Sequence, residues 1–348
     1  MTFPVSVGLN LQPELIDVSV IVPVRRINDY VRESFPHVMA QTGATLEWIC
    51  LPDVADPSSD GVVDDGDRVR VVATGAVGPA RKRDIGAEMA RGRILAFLDD
   101  DAYPMAGWLQ AALPHFDDAT VAAVGGPGVT PPSDGFWKQV SGWVFASRLG
   151  SGGARNRYLP VGGARDVDDW PSMNLLVRAS DFEAVGGFDC EYFPGEDTKL
   201  CLELVYRLGK RIVYEPDATV LHHRRDLFWG HFRQVGRYGE HRGHFVRRFP
   251  ETSRRPLYFA PTALVALLVT YPVVQFAGPR LARAWRVVLS AYLGALAATA
   301  LETGAAARSA SVGVASGMGV MLTHLWYGVQ FAVGLARPPR HLRDLSNV

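Results

Sequence analysis

The chain has 348 residues, 48% of them hydrophobic, with 36 Lys and Arg set against 36 Asp and Glu. That length suggests two structural units, and the charge balance leaves no overall field to recruit nucleic acid. Cys50, Cys190 and Cys201 are odd in number and lack metal-ligand spacing, so they read as small buried residues in a reducing compartment rather than as disulfides or a zinc site.

The N-terminus has no basic region followed by a long apolar core and does not read as a secretory signal. Asp17 to Val24 is a short apolar run ending around Pro23, the pattern of a buried strand. Asn28 can cap a helix whose apolar positions Val31, Phe35, Val38 and Met39 recur at helical spacing. Leu46 to Leu51 and Arg68 to Ala73 follow as strands, Pro79 to Arg91 as a helix between Gly78 and Gly92, and Ile94 to Leu98 as a fourth strand. This alternation predicts an α/β fold with a mostly parallel sheet, which binds ligands beyond the carboxyl ends of its strands.

At one such end stand Asp99, Asp100 and Asp101. Adjacent carboxylates after a buried strand raise one another's ionisation cost unless a positive charge sits among them. Mg²⁺ or Mn²⁺ fits, because hard cations take carboxylate oxygens together with substrate phosphates. The plain alternative is an acidic turn in solvent. Ala102-Tyr103-Pro104 places the triplet at a strand-to-helix junction, with Pro104 opening a helix to about His115.

After a strand near Thr120 to Val124 the chain is rich in Gly and Pro as far as Asp169. Ser172 to Val177 reads as a strand and Asp181 to Val185 as a short helix closed by Gly186-Gly187. Leu200, Leu204 and Leu208 mark a helix beginning at Gly195-Glu196-Asp197, with Gly209 as its stop. Arg211 to Tyr214 and Thr219 to Leu221 are further strands, the latter leading into His222-His223. A basic run from Arg224 to Arg255 suits phosphates or anionic lipid headgroups.

From about residue 257 the composition changes. The stretches 257–277, 285–301 and 312–336 are nearly free of charge and approach the roughly 20 residues needed to cross a bilayer. Arg280, Arg283 and Arg286 follow the first stretch, and Arg337, Arg340 and Arg343 follow the third. By the positive-inside rule, the first stretch, interrupted by Pro261 and Pro272, lies in the interface or re-enters. The other two form a hairpin that returns the C-terminus to the cytoplasm. Residues 1–250 are expected to form one domain and 251–348 a membrane-associated helical region.

The residues around Pro23, Asp53 after the second strand, Arg81 to Gly86, Phe97 to Asp101, Gly186-Gly187-Phe188-Asp189 and Gly195-Glu196-Asp197 stand in an order that resembles the inverting family 2 glycosyltransferases of the GT-A fold. The resemblance covers roughly Val18 to His223. It implies sugar transfer from a nucleotide-sugar donor to a lipid-linked or membrane-proximal acceptor, with the catalytic domain on the cytoplasmic side of the inner membrane. It implies that Asp101 and Asp99 hold the metal and that Asp99 or Asp100 contacts the ribose or a metal water. It also implies that Asp53 accepts a hydrogen bond from the base, although Leu51-Pro52-Asp53 departs from the family's usual pattern there. Arg83 and Asp84 resemble donor-site positions, and Lys82 could reach a phosphate; a solvated helix face is the alternative.

By the same resemblance Asp197 is the general base, with Glu196 able to substitute, and the helix dipole favours its ionised form. His222, or else His223, can complete the metal site. Gln234, Arg237 and Tyr238 look like the QxxRW signature of processive synthases with Tyr in place of Trp. Such a segment contacts acceptor or diphosphate, or rests on lipid headgroups as a basic helix. Trp170 and Asn174 could line the acceptor pocket or serve packing and turn chemistry. The alternatives are a processive polysaccharide synthase and a non-catalytic membrane-tethered scaffold that binds nucleotide-sugar.

Overall fold

The computed structural model describes residues 15–54, 62, 64–188 and 192–339. The N-terminal stretch, Asp189, Cys190, Arg340 and Arg343, on which some of the expectations above fall, lie outside the described residues.

The strands are β1 (Val18–Pro23), β2 (Leu46–Leu51), β3 (Val69–Val71), β4 (Ile94–Leu98), β5 (Ala102–Pro104), β6 (Val121–Gly125), β7 (Gly128–Val129), β8 (Arg165–Val167), β9 (Asn174–Arg178), β10 (Arg211–Tyr214) and β11 (Val220–His222). The helices are α1 (Asp29–Met39), α2 (Pro79–Met89), α3 (Trp108–Ala112), α4 (Phe136–Ala146), α5 (Arg148–Ser151), α6 (Ala179–Ala184), α7 (Glu196–Leu202), α8 (Trp229–Arg248), α9 (Pro250–Ser253), α10 (Pro256–Val274), α11 (Pro279–Ala306) and α12 (Ala310–Ala336).

Eight strands form one sheet in the order β3-β2-β1-β4-β9-β6-β10-β8. β1 to β4 pair in parallel, as do β6 and β10, whereas β9 runs antiparallel between β4 and β6, and β8 is antiparallel at the edge. Strand alternation explains the two cores. Val18, Val20, Val22, Trp48, Cys50, Ala96 and Leu98 pack on one face with Val31 and Val38 of α1, while Ile21, Ile49, Leu51, Leu95 and Phe97 pack on the other with Ala80, Phe182 and Leu200. Asn28 caps α1 as its sequence suggests, accepting from Val31 N at 3.0 Å.

The helix expected from Pro104 is a correction. Ala102 to Pro104 form β5, and only Trp108 to Ala112 are α-helical, followed by a 3₁₀ turn to Asp117. The residues after the acidic triplet pair with β11 and are thereby held extended. Antiparallel pairing sets His222 opposite Ala102, so β11 delivers a histidine to the residue beside Asp101. β7 completes this second, three-stranded sheet.

The helices α10, α11 and α12 are each long and apolar enough to cross a membrane. α10 runs unbroken through Pro261 and Pro272. α12 lies along α8 at backbone contact: a Cβ on Gly334 would meet Glu240 O at 1.8 Å, and one on Gly243 would meet Phe331 O at 2.2 Å. Small residues permit such close helix crossings.

Candidate active site

The acidic triplet divides between two directions. Oxygens of Asp99 and Asp101 and a ring nitrogen of His222 all lie within 4.8 Å of one another. Asp100 turns away and accepts from Asn28 Nδ2 at 3.1 Å. Burial, then the charges of Asp101 and Asp99, push its carboxyl up to about 7. Asp101 meets His222 Nε2 at 2.9 Å. Burial works to raise the Asp101 carboxyl, but His222, Arg224 and Arg225 outweigh it and hold it below the ordinary value.

Two carboxylates and one imidazole are a donor set that suits Mn²⁺ or Mg²⁺. Arg224 Nη1 lies 2.9 Å from His222 Nδ1, so that nitrogen accepts and Nε2 carries the hydrogen toward Asp101. A cation at Nε2 requires Arg224 to release Nδ1. His223 is occupied otherwise: its two ring nitrogens meet Asp134 at 2.6 Å and Glu33 at 2.9 Å.

Arg83, on α2, links this cluster to α7. Its Nη2 lies 2.6 Å from Asp99 and its Nη1 3.2 Å from Glu196. Burial opposes the guanidinium charge, and the two carboxylates outweigh that cost and raise its pKa. Gly195 opens α7 at φ +123°, a backbone that side chains rarely adopt, and a Cβ there would also meet the Phe245 ring at 2.9 Å. This turn presents Glu196 and Asp197 in the first turn of the helix. Burial and the Asp197 charge push Glu196 up, and burial and the Asp169 charge push Asp197 up.

Behind Asp197 lies a network absent from the sequence reading. Asp169 meets Arg242 of α8 at 2.8 Å and Arg157 at 3.2 Å. Thr198 donates to Asp169 at 3.1 Å. Burial would raise the Asp169 carboxyl, but the two arginines hold it well below the usual carboxylate range. No periodic pattern marks these residues; the one local signal is an acid beside Trp170 in a Gly-rich stretch.

The other sequence-predicted residues fall around this centre in different ways. Lys82 spends its ammonium on Val24 O (2.7 Å), Leu51 O (2.9 Å) and Asp53 Oδ1 (2.5 Å), so it fixes Asp53 at the sheet rim instead of standing free for a phosphate. Pro23 is buried at the end of β1. Asp84 accepts from Phe188 N at 3.0 Å and holds the turn after α6. Trp170 and Asn174 are 1% and 0% exposed. The Trp170 indole donates to Gly126 O, and the Asn174 amide joins Trp108 to Ala218, which favours packing over lining. Gln234 donates to Tyr238 Oη at 2.8 Å, and Arg237 lies over the Phe193 ring.

A mostly parallel sheet with an acidic triplet at its rim, tied through Arg83 to a carboxylate-bearing helix, is the arrangement of the GT-A fold. Residues 19–172 match the family model described as Glycosyl transferase family 2. It is 32% identical over 231 residues to the pre-mycofactocin glycosyltransferase of Mycobacterium tuberculosis, covering 63% of this chain and 48% of that one. The chain thus spans about half the length of that relative. A glucosyl-dolichyl phosphate glucuronosyltransferase of Haloferax volcanii is 24% identical over 237 residues, 62% of this chain and 73% of its own. Among solved structures, a mannosyltransferase from Pyrobaculum calidifontis in complex with GDP-Man and Mn²⁺ shares the fold at TM-score 0.55 and 19% identity, over 87% of this chain and 86% of that one.

Proposed function

We propose that the chain is an inverting glycosyltransferase that moves one sugar from a nucleoside diphosphate sugar to a lipid-linked or membrane-proximal acceptor at the cytoplasmic face of the inner membrane. The observation that carries this is the convergence of Asp99, Asp101 and His222, tied through Arg83 to the helix that bears Asp197. Asp101, Asp99 and His222 hold a divalent cation, which when bound supplies Lewis acidity toward the donor diphosphate. Asp53, fixed by Lys82, accepts from the nucleobase. Asp197 takes the proton of the acceptor hydroxyl as its oxygen bonds to the anomeric carbon. The bond from that carbon to the diphosphate breaks on the opposite face, and the nucleoside diphosphate leaves with the electron pair. A base with a raised pKa binds that proton more readily.

Residues 1–250 form the catalytic unit and 251–348 the membrane unit in this reading, with α11 and α12 as a hairpin. The Haloferax relative's name supports a lipid-linked acceptor. Tyr238 in place of Trp argues against a processive synthase. A screen of nucleotide-sugars against the purified full chain, read as thermal stabilisation with and without Mn²⁺, tests the reading. One donor should stabilise only with the metal, and Asp197→Asn should retain that binding and lose nucleoside diphosphate release. Donor binding without turnover under any acceptor would favour the scaffold.

A further inference from the structure

A pocket of about 570 Å³ opens beside Asp101, walled by Tyr30, Lys138, Arg225, Phe228 and Trp229. That volume suits a small-molecule group. Its cations are not equivalent. Lys138 donates to Tyr30 Oη at 2.7 Å and stands 3.8 Å from Asp134. Arg225 is exposed and has no hydrogen-bond or ion-pair partner among the described residues. Arg233 and Arg237 of α8 also lack an ion-pair partner there, and both they and Arg225 are exposed. Burial, then the nearby charges of Arg233 and Arg225, lower the Arg237 pKa, so these arginines repel one another. Asp101 and Asp226 are the acids lining the pocket and Lys138, Arg224 and Arg225 the bases, so Arg225 tips the balance positive and favours an anion.

The mouth of the pocket is aromatic. Trp229 is 82% exposed, Phe228 46%, Phe136 42% and Trp137 41%. The Trp137 ring lies 4.9 Å from both Phe228 and Phe136, so the patch is continuous. Single exposed hydrophobics are ordinary, whereas contiguous aromatic ones mark a contact surface. Phe228 also sits at φ +80°, a strained backbone for a side-chain-bearing residue. Directly behind the patch, Val140, Val144 and Leu227 pack into one core with Leu296, Val312, Ala315 and Val320 of α11 and α12. The patch is thus continuous with the apolar helices, where aromatic side chains favour the membrane interface.

We propose that this pocket binds the phosphate of a phosphate-linked lipid, with Arg225 as its charge partner, and that Phe136, Trp137, Phe228 and Trp229 carry the start of its apolar chain. The inference rests on the glycosyl-transfer reading and names the acceptor class for it: a lipid whose phosphate anchors a head group presenting its hydroxyl to Asp197. Guanidinium forks pair with phosphate oxygens, and aromatic faces take an isoprenoid or acyl chain.

Calorimetric titration of the full chain in phosphatidylcholine nanodiscs tests it, with farnesyl phosphate, farnesol and inorganic phosphate as probes and empty nanodiscs to subtract partitioning. Farnesyl phosphate should bind about tenfold or more tighter than either fragment. Arg225→Gln should weaken farnesyl phosphate about tenfold and leave farnesol unchanged. Trp229→Ala should weaken farnesyl phosphate and leave inorganic phosphate unchanged. Both side chains are exposed, and melting temperatures confirm that the variants fold. Farnesyl phosphate no tighter than inorganic phosphate would indicate a free-phosphate site, and no tighter than farnesol a bilayer anchor alone; either overturns the proposal, as does binding indifferent to both substitutions. Mn²⁺-dependent donor binding in the same samples separates the two readings. If donor binding persists without farnesyl phosphate binding, only the acceptor assignment fails, whereas loss of donor binding removes the transferase reading beneath it.

Discussion

Arg83 Nη2 lies 2.6 Å from Asp99, and this pair joins the helix after β3 to the acidic rim of the sheet. The Arg83 side chain is 5% exposed and also reaches Glu196, which is 6% exposed. One buried cation therefore neutralises carboxylates from both halves of the site. Removing one partner of a buried pair strands the others. Arg83→Met is expected to cost about 3–5 kcal/mol of folding stability, read by denaturant unfolding, and Arg83→Met with Glu196→Gln should recover part of it.

The two neighbouring histidines are expected to behave differently. His222→Ala should weaken Mn²⁺ binding measured by calorimetry, because it removes one of three converging donors. His223→Ala should leave Mn²⁺ affinity nearly unchanged and lower the melting temperature, since it deserts Asp134 and Glu33.

Asp169 supplies a stability test with a defined sign. Arg242 and Arg157 depress its carboxyl against the effect of burial, so its contribution is present above the unfolded carboxylate pKa of about 3.9 and lost as pH falls toward the folded value. Asp169→Asn is expected to lower stability at neutral pH by about 3 kcal/mol, with the gap to the parent protein narrowing only below about pH 4. Urea unfolding across pH measures it.

The same substitution should move the activity profile. In the proposed reaction Asp197 is the base and has to be ionised to accept a proton, so its raised pKa is expected to set the acid limb of turnover above the ordinary carboxylate range. Asp169→Asn removes the second-largest cause of that rise and leaves Arg242 and Arg157 unpaired nearby. The acid limb of the variant should therefore shift to lower pH in a nucleoside diphosphate release assay, an effect that a purely structural loss would not give.

Much of this site was legible because its acids sit at strand and helix ends, where an apolar run meets a charge. Asp99 to Asp101 after Ile94–Leu98 and Glu196-Asp197 after Gly195 are local patterns of that kind, and His222 follows a short strand. What lay hidden depends on partners far along the chain. The helix expected from Pro104 begins only at Trp108, because the pairing of β5 with β11, more than a hundred residues away, leaves no trace in the local sequence. Arg242 lies 73 residues from Asp169, so no periodicity could join them. Lys82 looked available for phosphate until folding brought Val24, Leu51 and Asp53 around its ammonium.

The most direct test is equilibrium donor binding and nucleoside diphosphate release by the full chain in nanodiscs, comparing the parent protein, Asp101→Asn and Asp197→Asn with and without Mn²⁺. The expected result is metal-dependent donor binding that Asp101→Asn loses, and turnover that Asp197→Asn loses while still binding donor. Donor binding indifferent to Mn²⁺, or undiminished turnover in Asp197→Asn, would contradict the account.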